Sequence, residues 1–102
     1  MSQKGYLIAE AKLSDPVAYE VYKGLAQAAI AQYGGRYLVR GGAAEILEGK
    51  WSSVPRLVIV EFESVEQANR FYQSPEYQAA RKAREGAADM NMLTVAGVDN
   101  LI

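Results

Sequence analysis

Tyr33-Gly34-Gly35-Arg36-Tyr37-Leu38-Val39-Arg40-Gly41-Gly42 joins a helix stop, a strand and a strand end within ten residues. Gly34 can take the left-handed conformation that closes a helix, and the alternation after it is that of a pleated strand. Strict alternation places Arg36, Leu38 and Arg40 on one side of that strand, with Tyr37 and Val39 on the other. Two guanidinium groups on one sheet face predict a pocket that favours anions.

Upstream, Tyr6 to Leu13 alternates so that Leu7, Ala9, Ala11 and Leu13 share an apolar face, which predicts a first strand. Asp15-Pro16 then supplies an N-cap carboxylate and a proline at the first helical position, where its missing N–H is not needed. Val17, Val21, Leu25 and Ala29, widened by Ala18, Tyr22 and Ala28, repeat with helical period and predict a helix over about 16–33.

Downstream, the second strand is predicted over about 36–41, with Glu45-Ile46-Leu47-Glu48 extending it past a glycine bend. A loop over 49–55 carries Trp51. Arg56 to Phe62 is dense enough in β-branched and large apolar residues to predict a central strand. Ser64 with Gln67 is a capping-box pattern, and Ser74-Pro75 restarts the second helix with a new cap before it runs toward Gly86. Met90 to Val98 gives the last strand, and a short tail ends at Ile102.

The order strand, helix, strand, strand, helix, strand predicts an α+β, ferredoxin-like βαββαβ domain over 1–102: a four-stranded antiparallel sheet with both helices on one face. An apolar helix-side register is found in Leu7, Ala9, Ala11; Tyr37, Val39; Val58, Val60, Phe62; and Leu93, Val95. The opposite register (Tyr6, Ile8, Glu10; Arg36, Leu38, Arg40; Leu57, Ile59, Glu61; Met92, Thr94, Ala96) is half apolar and half charged. Such a face is too apolar for water, and packing two copies face to face closes a dimeric α/β barrel around a cavity.

Composition removes several function classes. Eleven basic and twelve acidic residues, a formal net charge of -1 and no block of like charge leave no electrostatic footprint for nucleic acid or anionic membrane. Without cysteine or histidine there is no thiol nucleophile, no iron–sulfur ligation and no imidazole for zinc, copper or haem, so neither metal nor other cofactor is expected. No apolar run reaches membrane-spanning length and no signal-type segment opens the chain, so the expected location is cytoplasmic. Gly34-Gly35 follows a helix and precedes a strand, the reverse of a phosphate-binding glycine turn.

Lys4-Gly5-Tyr6, Asp15-Pro16, the Tyr33–Gly42 stretch, Val60-Glu61-Phe62 and Tyr72-Gln73-Ser74-Pro75-Glu76-Tyr77-Gln78 together resemble the domain of unknown function 1330 family, from about residue 4 to residue 98. The resemblance implies the dimeric α/β-barrel superfamily, which includes cofactor-free monooxygenases, lactone isomerases and haem-handling enzymes. The haem-handling branches bind iron through histidine, which is absent here.

Arg40, near a strand end, is the first candidate binding residue: a planar, permanently charged donor able to clamp a carboxylate or enolate. The competing reading is an ion pair with Glu10, Glu61 or Glu45. Arg36 is a second anion contact and Tyr6 a ring contact, whereas Tyr22 and Tyr72 are weighed more as core. Glu10 and Glu61 are the candidate catalytic bases, with salt bridging as their alternative. The expected molecule is a homodimer that binds a small ligand, a cofactor-independent isomerase or monooxygenase acting on a small carboxylate, enol or aromatic. A non-catalytic dimer module with interior ion pairs is the alternative.

Overall fold

The structure, a computed structural model, describes residues 3–51 and 56–98. The expected loop over 49–55 therefore lies outside the described residues from 52 on, as does the tail over 99–102. The elements are β1 (Gly5–Leu13), α1 (Pro16–Gln32), β2 (Arg36–Arg40), β3 (Arg56–Phe62), α2 (Val65–Gln73), α3 (Pro75–Ala83) and β4 (Ala88–Ala96). All strand pairs are antiparallel, in the order β2-β3-β1-β4, so β3 is central as its composition predicts. This is the α+β, ferredoxin-like arrangement. Among the described residues, no helix is long and apolar enough to cross a membrane.

The caps act as the sequence predicts. The Asp15 carboxylate accepts from the Ala18 N–H at 3.1 Å, and Pro16 opens α1. The Ser64 hydroxyl accepts from the Gln67 N–H at 3.0 Å. Ser74, buried, ends α2 by donating to the Phe71 carbonyl and begins α3 by accepting from the Tyr77 N–H. One serine thus makes the sharp break that Pro75 requires. Gly34 closes α1 with a φ of 77°.

Three local assignments differ from the expectation. On α1, the buried residues are Tyr19, Tyr22, Ala26, Ala29 and Ile30, while Val17 and Val21 are 82% and 60% exposed and Leu25 also faces out. Two apolar stripes compete for the sheet, and the one carrying two tyrosines and an isoleucine buries more area than the valine stripe. On β4, Met90 and Met92 face the helices, because Ala9 sits opposite Met92 and Ala11 opposite Met90. Leu93 and Val95 take the other face, against Ile8 and Tyr6. Both registers of β4 are apolar, so alternation alone does not select one.

The third difference decides the site. Arg36 pairs with Glu61 and Tyr37 with Val60, but Val39 pairs with Ile59 and Arg40 with Val58, so a bulge between Tyr37 and Val39 inserts one residue. The extra residue reverses the alternation, leaving Arg36 on the open face and turning Arg40 to the helix side. Beyond Arg40 the strand does not resume: residues 41–51, including the expected Glu45–Glu48 extension, form neither helix nor strand.

The core lies between helices and sheet, around Phe62, Phe71, Val60 and Tyr77, which are essentially inaccessible to solvent. Phe71 stacks at 4.6 Å from Tyr77 and 5.2 Å from Phe62. Gly5 crosses the start of α2 so closely that a Cβ would fall on the Ser64–Val65 backbone. The open face of the sheet carries Tyr6, Ile8, Leu57 and Ile59 half-buried, with Leu93 and Val95 57% and 44% exposed.

Candidate functional site

Two groups of polar residues lie on opposite sides of the sheet. On the open face Glu61 accepts hydrogen bonds from the Tyr6 hydroxyl at 3.1 Å and from Arg36 Nη2 at 3.0 Å. The bond to Glu61 raises the pKa of the Tyr6 hydroxyl, because the phenol stays a donor to the carboxylate. Glu10 accepts from Asn91 Nδ2 at 3.0 Å. Arg36, Tyr6 and Glu61 thus come together as one bonded trio, with Glu10 beyond Ile8 on the same strand face.

Arg40 joins neither glutamate. The bulge sends it to the seam between α1 and the sheet, where Nη1 donates to Gln27 Oε1 at 2.9 Å and the guanidinium carbon lies 4.4 Å from the centre of the Tyr37 ring. The predicted convergence of Arg40 with Glu10 or Glu61 is therefore not what the fold produces, and neither is an ion pair with Glu45: among the described residues no carboxylate lies in salt-bridge range of Arg40.

The seam brings two further cations to Arg40. Arg56 starts β3 beside the end of β2, and its guanidinium lies over Gly41 so closely that a Cβ there would collide with it. Gly41 also has a φ of 72°, which an L side chain resists, and its N–H donates to the Leu57 carbonyl at 2.7 Å. Arg56 Nε is buried with no hydrogen-bond partner among the described residues, and its guanidinium carbon is 5.9 Å from the Tyr19 ring centre. Lys23, one helical turn before Gln27, bonds Glu20 at 3.1 Å. Glu20, Lys23, Gly24, Gln27, Arg40 and Arg56 line an open groove of about 420 Å³. Three cations against one carboxylate leave this groove electropositive.

Behind it, a narrow apolar slot of about 30 Å³ runs between α1 and the sheet, room for one water-sized molecule. Arg40, Arg56 and Lys23 belong to both spaces, so the groove is the mouth of the slot. At the inner end the Tyr77 hydroxyl accepts from Arg84 Nη1 at 3.1 Å and donates to Met92 Sδ at 3.5 Å, which makes the Tyr22 hydroxyl, 2.8 Å away, the donor to Tyr77. Burial drives the Tyr22 pKa far above its ordinary value of 10 and also raises that of Tyr77. Both phenols remain neutral.

The arrangement can hold an anion at its mouth and an apolar group or small gas within. It contains no free carboxylate base, and among the described residues no cluster of three acidic side chains could hold a metal ion. Gln27, Lys23, Arg56 and Tyr77 are site residues that sequence reasoning does not single out, and Tyr22, weighed as core, is both core and the donor at the slot's inner end. A usable signal exists for Arg56: Arg40 and Arg56 close the two ends of one β2–β3 connection, so the hairpin must bring them together.

Solved structures share this fold across nearly the whole chain. A protein of unknown function from Rhodopseudomonas palustris is 20% identical with a TM-score of 0.73, covering 97% of this chain and 85% of that one. SnoaB, a cofactor-independent oxygenase from Streptomyces nogalater, is 12% identical with a TM-score of 0.68, covering 98% of each chain. A dimeric protein of unknown function and ferredoxin-like fold from Bacteroides fragilis is 14% identical with a TM-score of 0.61, covering 91% of this chain and 95% of that one. At these identities the likeness is one of fold. No curated protein matches the chain in sequence. The family model for the domain of unknown function DUF1330 matches residues 4–98, including the Tyr33–Gly42 stretch and the Ser74–Pro75 break, and the chain belongs to that family.

Proposed function

We propose that this protein is a homodimeric, small-molecule-binding oxygenase that works without a cofactor, taking a small planar enol, phenol or carboxylate as its anion. The observation that carries the reading is the seam groove, in which Arg40, Arg56 and Lys23 surround the mouth of an apolar slot. The groove is large enough for a small molecule, and its cations lower the cost of ionising the bound enol or phenol. The phenolate or enolate, its proton passed to bulk water through the open groove, joins dioxygen at an activated C–H carbon to give a peroxide. Loss of that C–H proton with cleavage of the O–O bond leaves a carbonyl on the substrate and hydroxide, which becomes water with the first proton. The substrate itself is thus the only reductant.

Isomerisation, which needs a base to carry a proton between carbons, fits the seam less well. Glu10 and Glu61 lie on the other face of the sheet, and Glu20 is tied to Lys23. The SnoaB fold supports the oxygenase reading as an analogy of architecture. The open face supports the dimer: its exposed Leu93 and Val95 continue a row with half-buried Ile8 and Ile59 that a second copy would cover. On that face the Arg36–Glu61–Tyr6 trio acts as internal pairing.

The test is a thermal-shift screen of small aromatic carboxylates, 1,3-diketones and naphthalenediols, followed by dioxygen uptake in chelator-treated, flavin-free buffer. The expected result is a stabilising ligand from the enol or phenol class that consumes oxygen with wild-type protein. Its affinity falls at least about tenfold in Arg40→Ala, the loss expected for one charge-assisted contact. Equal affinity in wild type and Arg40→Ala would remove the site.

A further inference from the structure

The opposite edge of the sheet carries a second groove. It runs along β4, beneath α2 and the end of α3, has a volume of about 400 Å³, and is lined by Asn69, Tyr72, Arg81, Arg84, Leu93 and Thr94 with the two methionines Met90 and Met92 as floor. No lining residue is acidic. Its two guanidinium groups are held by neutral partners: Arg81 Nη1 donates to Gln78 Oε1 at 3.0 Å and its guanidinium carbon lies 5.4 Å from the Tyr72 ring centre. Arg84 donates to the Tyr77 hydroxyl and lies 5.3 Å from the Tyr22 ring centre. Among the described residues neither arginine has a carboxylate in ion-pair range.

Fixed, unneutralised guanidinium groups are the donors that planar oxyanions match best, and fixing them beforehand reduces what binding must order. Asn69 Oδ1 accepts from the Thr94 hydroxyl at 3.1 Å, which orients the Asn69 amide so that its NH₂ is left as a further donor. The helix-side lining, Met90, Met92 and Tyr72, is apolar and adaptable, suited to a flat hydrocarbon body.

We infer that the β4-edge groove is a second ligand site for a small carboxylate on an apolar or aromatic body, opening away from the seam and divided from the apolar slot by Met90 and Met92, which line both. The carboxylate bridges Arg81 and Arg84 with the Asn69 amide at its side, and the ring lies on the methionines. The site does not depend on the function proposed for the seam.

Benzoate is the probe, titrated into the full chain with methionine methyl groups labelled for NMR. The expected result is saturable shifts at Met90 and Met92 that persist in Arg40→Ala, where the seam's anion contact is gone, with Kd raised at least tenfold when Arg81→Gln is added. Should Arg81→Gln not fold, Asn69→Ala, at an exposed side chain, takes its place with the same direction of loss. Methionine methyl signals that do not move, or a Kd unchanged in the folded Arg81→Gln or Asn69→Ala chain, would overturn the site. Shifts that are lost in Arg40→Ala would show a single seam site and overturn it equally.

Discussion

Arg40 shows how one inserted residue relocates chemistry. Its guanidinium sits in the groove only because the bulge after Tyr37 reverses the strand, and Arg56 can lie beside it only because position 41 has no side chain. Gly41→Ala should therefore destabilise the fold by about 1–2 kcal/mol, the cost of a left-handed L residue, and displace Arg56 from the groove. Denaturant unfolding with ligand titration checks both effects. Arg40→Ala, at an exposed side chain, should change stability by less than about 0.5 kcal/mol while removing ligand affinity. The Tyr22–Tyr77 bond makes an opposite prediction: Tyr77→Phe leaves the Tyr22 hydroxyl and Arg84 without their partner and should cost about 1–3 kcal/mol.

The same pair sets a pH dependence. The Tyr22 and Tyr77 values are raised in the folded chain, so their contribution is complete below the ordinary tyrosine value of 10 and is lost as pH rises beyond it, where the unfolded chain gives up protons that the folded chain keeps. Unfolding free energy should fall above about pH 10, and the fall should be shallower in Tyr22→Phe.

At the scale of elements, the strands, the helices and the break at Ser74-Pro75 are legible because each rests on local chemistry: alternation, a capping side chain, a proline. What alternation cannot supply is the choice between two apolar faces. Val17, Val21 and Leu25 make as regular a stripe as Tyr19, Tyr22, Ala26 and Ile30, and only packing against Phe71, Tyr77 and the sheet favours the second. β4 poses the same ambiguity, and β2 adds a bulge whose extra residue has no signature in Arg36–Arg40 beyond a neighbouring glycine pair. The residues of the site are thus visible in the sequence as types, an arginine near a strand end and buried tyrosines. Their grouping depends on a register that long-range pairing decides.

For the whole molecule, the two faces of one sheet divide the work. The helix side holds the core and the seam groove; the open side holds the Arg36–Glu61–Tyr6 trio inside an uncovered row of apolar residues. If a second copy covers that row, the open face is an interface and ligands meet the protein at the seam. Sedimentation equilibrium at micromolar concentration tests this most directly. The expected result is a species of twice the 11.2 kDa chain mass, reduced to a folded or partly folded monomer by Ile59→Asp at the centre of the open face. A wild-type chain that sediments as a well-folded 11.2 kDa monomer would contradict it.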